Sequence, residues 1–159
     1  MGTIERLGPD DWQEFREIRL RALADAPTAF GMTLADAEQQ TEDTWRARLD
    51  QGDPILGVRD EERLVAMGAG WHPPEDPGRM MVWGMWTAPE ARGRGHARAL
   101  IRAVCDDLAG RGFAAVEAYP ERGTRPDATS AATPAFWVES GFAVVVEDER
   151  FPVVRRELS

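Results

Sequence analysis

The stretch that decides the fold is Thr87–Ala97, which reads Thr-Ala-Pro-Glu-Ala-Arg-Gly-Arg-Gly-His-Ala. It follows Met80–Trp86, an apolar run of strand length, and precedes a segment whose apolar residues recur at three- and four-residue steps, as in an amphipathic helix. Pro89 removes a backbone donor and ends the strand, and Gly93 and Gly95 let the backbone turn close to a ligand. Such a turn leaves unpaired N–H groups at the positive end of a helix dipole, which favours binding of a phosphate or diphosphate.

Three arginines add positive charge around this turn, at positions 92, 94 and 98. For two glycines alone, a tight turn that binds nothing is a fair alternative. The spacing Arg92-x-x-Gly95-x-Ala97 is more specific, because it reproduces the R/Q-x-x-G-x-G/A signature of the GCN5-related N-acetyltransferases. The sequence therefore resembles this superfamily (GNAT). The pattern is neither the dinucleotide-binding G-x-G-x-x-G nor a P-loop, since no Gly-Lys-Ser/Thr follows.

The length and composition suit one domain over residues 1–159, of which 43% are hydrophobic. No apolar run approaches the roughly 20 residues of a membrane span, and Met1–Glu5 does not begin a signal peptide. The lone cysteine, Cys105, excludes an internal disulfide. We therefore expect a cytoplasmic protein without a membrane partner, and we expect no metal.

The charge balance is acidic, with 19 basic against 28 acidic residues and a net charge of −9. Such a chain is a poor nucleic-acid binder, so no nucleic-acid partner is expected. The charge would attract a cationic substrate. That it merely keeps the protein in solution is an equal alternative.

Hydrophobic periodicity and turn residues predict about seven strands and about four helices. In chain order these are strand Thr3–Leu7, helices Pro9–Ala24 and Leu34–Leu49, strands Ile55–Arg59, Leu64–Trp71 and Met80–Trp86, helix Ala97–Gly110, strand Phe113–Tyr119, helix Thr133–Ser140, and strands Phe142–Val146 and Arg150–Arg156. This order is the GNAT topology over essentially the whole chain. The resemblance thus implies an α/β (α+β) protein with a central mixed, mostly antiparallel twisted sheet.

The resemblance also implies acetyl-CoA as cosubstrate. Its diphosphate would lie on the backbone N–H groups of Arg92, Gly93, Arg94, Gly95, His96 and Ala97. The pantetheine arm would run along the fourth strand, where the fourth and fifth strands separate, and pair with the backbone of Met85, Trp86 and Thr87. One N–H there would stabilise the oxyanion as an amine attacks the thioester, and binding both reactants side by side would supply much of the rate.

The general base is not obvious from the sequence. Counting back from Arg92, the position of the catalytic glutamate in histone-acetylating family members falls on Met81, and no carboxylate or histidine lies in the central strand. Glu117, in the fifth strand, is the best remaining candidate by location. A charged residue there is equally suited to a solvated face. His72, Glu75 and Asp76 are weaker candidates.

The general acid is also replaced. Most family members have a tyrosine at the position of Trp137 to protonate the departing thiolate, and an indole N–H has no comparable acidity. We therefore expect Trp137 to shape the pocket or pack on pantetheine. The only tyrosine, Tyr119, either approaches the sulfur as a proton donor or caps its strand. Ser130 stands where the family has an asparagine, and its hydroxyl is still able to bond pantetheine.

Aromatic residues are the candidates for acceptor binding, with Phe30 and Trp83 first among them. Strand alternation predicts one face with Met81, Trp83 and Met85, and the other with Val82 and Trp86. A tryptophan exposed near the site would hold a small amine partly by cation–π contact. Aromatics at strand spacing are equally typical of a core.

The sequence therefore predicts an acetyl-CoA-dependent N-acetyltransferase that acts on a primary amine of a small molecule, by direct attack in a ternary complex. One alternative is a protein N-terminal or lysine acetyltransferase, which the missing glutamate at Met81 disfavours. Another is a catalytically silent acyl-CoA-binding module, which Trp137 leaves open. The sequence does not identify the acceptor, the acyl chain length or the oligomeric state, for which a homodimer is one option.

Overall fold

A computed structural model describes residues 2–27, 32–72, 75–76, 78–118, 134–147 and 152–158. Its strands are β1 Thr3–Arg6, β2 Ile55–Asp60, β3 Arg63–Trp71, β4 Met80–Thr87, β5 Ala115–Ala118, β6 Ala143–Val146 and β7 Val153–Glu157. Its helices are α1 Trp12–Asp25, α2 Leu34–Glu38, α3 Glu42–Leu49, α4 His96–Gly110 and α5 Pro134–Glu139, with short 3-10 turns at Pro9–Asp11 and Pro89–Ala91.

The described strands form one sheet in the order β1-β2-β3-β4-β5-β7-β6. Every neighbouring pair is antiparallel except β4 and β5, which are parallel. The predicted mixed, mostly antiparallel sheet is confirmed. Helix α4 is the crossover that parallel neighbours require.

The predicted helix Leu34–Leu49 is wrong, because the structure divides this segment into α2 and α3. Thr33 caps α2 by accepting a hydrogen bond from the backbone N–H of Asp36, and Thr41 caps α3 in the same way from Thr44. A threonine hydroxyl that accepts from the backbone three residues later starts a helix, so the second cap separates the two.

The sheet carries an apolar cluster on each face. One cluster packs under α4 and α5, and its members include Val82, Leu100, Val104, Val116, Trp137 and Phe142. The other packs under α1 and α3, and its members include Phe15, Ile18, Trp45, Met67 and Trp86. Phe15 and Trp45 are in edge-to-face contact there, with ring centroids 5.5 Å apart.

A β-bulge in β4 overturns the predicted alternation of side chains. Ala69 pairs with Trp83 and Met67 pairs with Trp86, so two residues of β4 oppose Gly68. Gly84, one of the two, has φ +68°, which suits a glycine-initiated bulge. The extra residue reverses the alternation: Val82 and Met85 pack on the α4 side, and Trp83 and Trp86 on the α1 side.

Candidate active site

The loop between β4 and α4 has a backbone that requires glycine at two positions. Gly93 has φ +79° and Gly95 has φ +83°, both in the left-handed region. A Cβ built at either position would meet no heavy atom within 4 Å. The requirement is therefore conformational rather than steric, and the space over both residues is open to a ligand.

The N-terminus of α4 has a set of backbone donors without acceptors. Gly95 is the N-cap and offers no side chain, and the first turn contains no acidic residue. The first backbone bond into the helix runs from the Ala99 N–H to the Gly95 carbonyl, at 3.1 Å. In the described part of the chain, no N–H from Gly93 to Arg98 donates to another protein group. These donors and the helix dipole favour an anion at this point.

Each arginine of the loop region has an acidic partner. Arg92 pairs with Asp25 at 2.8 Å, and its side chain is only 17% exposed. Arg94 pairs with Asp60 at 3.2 Å and Arg98 with Glu139 at 2.7 Å, with arginine side chains 55% and 60% exposed. Exposed pairs of this kind contribute little to stability, so Arg94 and Arg98 are easily recruited by an incoming anion.

The edge of β4 that faces β5 is only briefly paired. The two strands pair at Met80 with Val116 and at Met81 with Glu117. Although β4 continues to Thr87, no further pair with β5 forms among the described residues. The chain after Ala118 lies outside the described residues, so the separation that the resemblance implies stays a prediction.

The β4 residues expected to bind pantetheine, Met85, Trp86 and Thr87, each contact a different part of the protein. Met85 lies over Gly68, close to Leu100 of α4. Trp86 is buried and donates its indole N–H to Asp25 at 3.0 Å. The Thr87 carbonyl accepts a hydrogen bond from Arg92 Nε at 3.0 Å. Their backbone roles toward pantetheine stay a prediction.

Glu117 lies next to Met81 across the β4–β5 pair. Its carboxylate is 17% exposed and accepts a hydrogen bond from Arg79 Nε at 3.1 Å, while Arg155 Nη1 lies 3.8 Å away. It is thus partly buried beside Met81, between two arginine side chains that are themselves more exposed. Its role as a base stays a prediction.

A cavity of about 470 Å³ opens at the starts of β4 and β5, at the end of β4 remote from the loop. It is lined by Asp76, Gly78, Arg79, Met80, Ala114, Ala115, Glu117 and Arg155. Of the weaker base candidates, Asp76 borders this cavity and Glu75 is exposed. His72 instead faces the buried carboxylate of Asp53, with Nδ1 and Oδ2 2.7 Å apart.

Trp137 and Trp83, two of the predicted aromatic site residues, lie on opposite faces of the sheet. Trp137 is 4% exposed, with its ring centroid 6.0 Å from Phe136 and 5.0 Å from Phe142 in edge-to-face contacts. Trp83 is half-buried on the α1 face, donates to the Gly70 carbonyl at 3.3 Å, and has the Arg19 guanidinium 5.3 Å from its ring. Phe30, Tyr119 and Ser130 lie outside the described residues.

Sequence reasoning missed two charged residues of α1 that approach β4. Asp25 bonds both Trp86 and Arg92. Arg19 is 4% exposed beside Gly84 and Trp83, and burial, reinforced by the charge of Arg48, lowers its pKa to about 10. No local pattern marks either residue, because their partners are more than 60 positions away along the chain.

Residues 12–142 match the model of the acetyltransferase (GNAT) family. The chain belongs to this family. The match spans α1, the loop, Glu117 and Trp137.

Individual relatives agree with this membership. The chain is 30% identical over 134 residues to a mycothiol acetyltransferase of Brachybacterium faecium, a match that covers 78% of this chain and 39% of that protein. The chain thus spans well under half of that relative. In fold, it is similar to the PaiA N-acetyltransferase of Thermoplasma acidophilum in complex with coenzyme A, with a TM-score of 0.77, 12% identity and 99% of each chain covered. It is also similar to a phosphinothricin acetyltransferase of Sinorhizobium meliloti in complex with acetyl-CoA, with a TM-score of 0.74, 16% identity, and 99% and 89% of the two chains covered.

Proposed function

We propose that this GNAT protein transfers the acetyl group of acetyl-CoA to a primary amine of a small molecule. The observation that carries the proposal is the row of backbone N–H groups from Gly93 to Arg98, which lack acceptors among the described residues at the start of α4. Two solved structures of the same fold were determined with coenzyme A or acetyl-CoA, and the curated relative is named as an acetyltransferase, which supports the proposal.

The loop fits the diphosphate of acetyl-CoA. Positive φ at Gly93 and Gly95 turns successive N–H groups toward one point, and the open space over both glycines admits phosphate oxygens. Arg94 and Arg98 would exchange their exposed acidic partners for phosphates. The β4 edge around Met85–Thr87 would pair with the extended pantetheine arm. Acetyl-CoA then supplies an acetyl group activated as a thioester.

The proposed reaction is direct attack by the amine. The amine nitrogen forms a bond with the carbonyl carbon, the carbon–sulfur bond breaks, and coenzyme A departs. A backbone N–H of β4 next to the bulge would stabilise the oxyanion. Glu117 is proposed to accept the proton that the amine loses. Tyr119 or water would protonate the sulfur, and the enclosed ring of Trp137 would serve packing.

A cationic small molecule is the acceptor class that the charge of the chain favours. The net charge of −9 raises the local concentration of ammonium compounds. Glu117 borders a cavity of about 470 Å³, a volume in the range of small-molecule sites, whose lining also includes Asp76, Arg79 and Arg155. In the described part of the chain, no helix is long and apolar enough to cross a membrane, and no three potential ligand side chains cluster around a metal position.

The experiment is an acceptor panel followed by release of coenzyme A. The panel would contain small primary amines, peptides with free N-termini and peptides with lysine, and a thiol reagent would detect the product. We expect release with one or more small amines and none with peptides. Release with peptides alone would favour the protein acetyltransferase. Calorimetric binding of acetyl-CoA without release in any reaction would favour the silent acyl-CoA-binding module, and no binding would overturn the proposal.

A further inference from the structure

The carboxylate of Asp25 joins α1 to both sides of the loop that starts α4. Its Oδ2 atom accepts a hydrogen bond from Trp86 Nε1 at 3.0 Å and another from Arg92 Nη2 at 2.8 Å. Arg92 in turn donates from Nε to the Thr87 carbonyl at 3.0 Å. One oxygen atom at the end of α1 therefore holds the last residues of β4 and the first residue of the loop together.

Arg92 differs from its two neighbours in the loop region. Its side chain is 17% exposed, and two of its nitrogens already have acceptors within the protein. Arg94 and Arg98 are more than half exposed, and each pairs with an acid on the surface. Charge-assisted bonds in a partly buried place are stronger than exposed ones. Arg92 is thus built to fix the loop, whereas Arg94 and Arg98 are placed to meet solvent or a ligand.

The loop needs such an attachment because its own sequence is permissive. Gly93 and Gly95 both have positive φ, and glycine reaches many other conformations at little cost. Ordering these residues at the moment of binding would cost conformational entropy. A row of N–H donors binds an anion well only when it is already held in place.

We propose that Asp25 is a positioning residue for the diphosphate of the cosubstrate. It fixes Arg92, Arg92 fixes the start of the loop, and the loop presents the N–H groups from Gly93 onward. This inference rests on the proposed use of acetyl-CoA. It predicts that loss of the Asp25 carboxylate weakens binding of ligands that contain the diphosphate and spares those that lack it.

The test compares Asp25→Asn with Glu90→Gln. Glu90 is a matched control, because it joins α1 to the 3-10 turn after β4, through Arg21 at 3.2 Å, but its side chain is 61% exposed. Both substitutions remove one negative charge. Affinity for coenzyme A would be measured by calorimetry, and affinity for pantetheine, which lacks the diphosphate, by titration followed in amide NMR spectra.

We expect Asp25→Asn to weaken coenzyme A binding about tenfold, in the range for loss of a hydrogen bond to a charged group. Its affinity for pantetheine should stay within about twofold of the parent, since pairing with Met67 and Ala66 of β3 still holds Trp86 and Thr87 in place. With an active acceptor, KM for acetyl-CoA should rise while kcat is kept. Glu90→Gln should leave both affinities unchanged. Arg92→Gln should reproduce Asp25→Asn, and the double variant should be no weaker than either, because the two residues act as one unit.

Several results would overturn the inference. They are an unchanged coenzyme A affinity in Asp25→Asn, an equal loss for pantetheine, or an equal loss in Glu90→Gln. If Asp25→Asn fails to fold, Arg92→Gln carries the same comparison, and an Arg92→Gln variant with parental coenzyme A affinity contradicts the inference. A parent protein that does not bind coenzyme A would overturn the proposed function itself, which is a distinct outcome.

Discussion

The loop around Gly95 and the β5 surface around Glu117 are organised in opposite ways. In the loop, the groups that act are backbone N–H donors, and two glycines close together in sequence allow the conformation that exposes them. At Glu117, the setting comes from Arg79 and Arg155, each 38 residues away along the chain. A site made of backbone can be inferred from a short motif, whereas a site made of side chains depends on which strands the fold brings together.

Trp137 gives the largest expected effect and tests whether a position inferred from the motif acts through packing. Trp137→Ala should lower the free energy of unfolding by about 3–5 kcal/mol, because it removes a buried ring between Phe136 and Phe142. Trp137→Phe keeps an apolar ring and should retain most activity and stability. Urea unfolding and steady-state rates would measure both variants.

A third variant, Trp137→Tyr, tests whether a proton donor at this position raises the rate. If protonation of the leaving thiolate limits turnover, a phenol at this position raises the rate; if it does not, nothing improves. The packing role predicts no improvement, since the ring lies in the core between two other rings. A folded Trp137→Phe variant as inactive as Trp137→Ala would show instead that the indole N–H is needed.

Gly95→Val tests whether the backbone N–H donors of the loop bind acetyl-CoA. With φ +83° at this residue, a β-branched side chain is strained by roughly 1–2 kcal/mol, and its methyl groups enter the open space where a phosphate would lie. We expect acetyl-CoA affinity to fall roughly 100-fold by calorimetry, since strain and lost hydrogen bonds add. Gly110→Ala is the control, because that glycine ends the same helix in ordinary helical conformation with open space around it. A folded Gly95→Val variant with parental affinity would remove the assignment of the loop.

The contrast between a backbone site and a side-chain site also explains how much of this structure could be predicted from the sequence. The strands and the mixed, mostly antiparallel sheet follow from periodicity, turn residues and the family resemblance, and these predictions are confirmed. The glycine turn before α4 is also present, whereas the ligand expected there stays a prediction. The alternation along β4 could not be predicted, because a single bulge at Gly84 reverses it and depends on how β4 is paired with Met67 and Ala69 of β3. The hydrogen bonds from Trp86 and Arg92 to Asp25 could not be predicted for a similar reason, since these partners lie 61 and 67 residues away along the chain.

Glu117→Gln tests whether the side chain of Glu117 acts as the general base. If Glu117 is the base, the rate should fall about 100-fold where the acceptor amine is protonated, the low end of general-base effects, and recover at higher pH, where free amine attacks without help. Arg155→Gln is the companion variant, because it loosens the same ion pair and leaves the carboxylate in place. If the pH–rate profile of Glu117→Gln matches the parent, the two arginines hold Glu117 for structural reasons, and another group or water is the base.

The smallest effect is expected from the exposed arginines of the loop region. Arg94→Gln and Arg98→Gln together remove two exposed charges close to the backbone N–H groups that start α4; within the protein these arginines pair with Asp60 and Glu139. If backbone donors carry most of the diphosphate binding, this double variant should weaken acetyl-CoA only about three- to fivefold, as is usual for exposed charges. The loss should shrink as salt is raised from 0.05 to about 0.5 M, because salt screens exposed charges and affects close backbone bonds much less. Arg102→Gln is the control, since Arg102 is exposed on the same helix one turn farther from its start. A hundredfold loss in the double variant, or a loss that does not respond to salt, would mean that side chains rather than the backbone dominate this site.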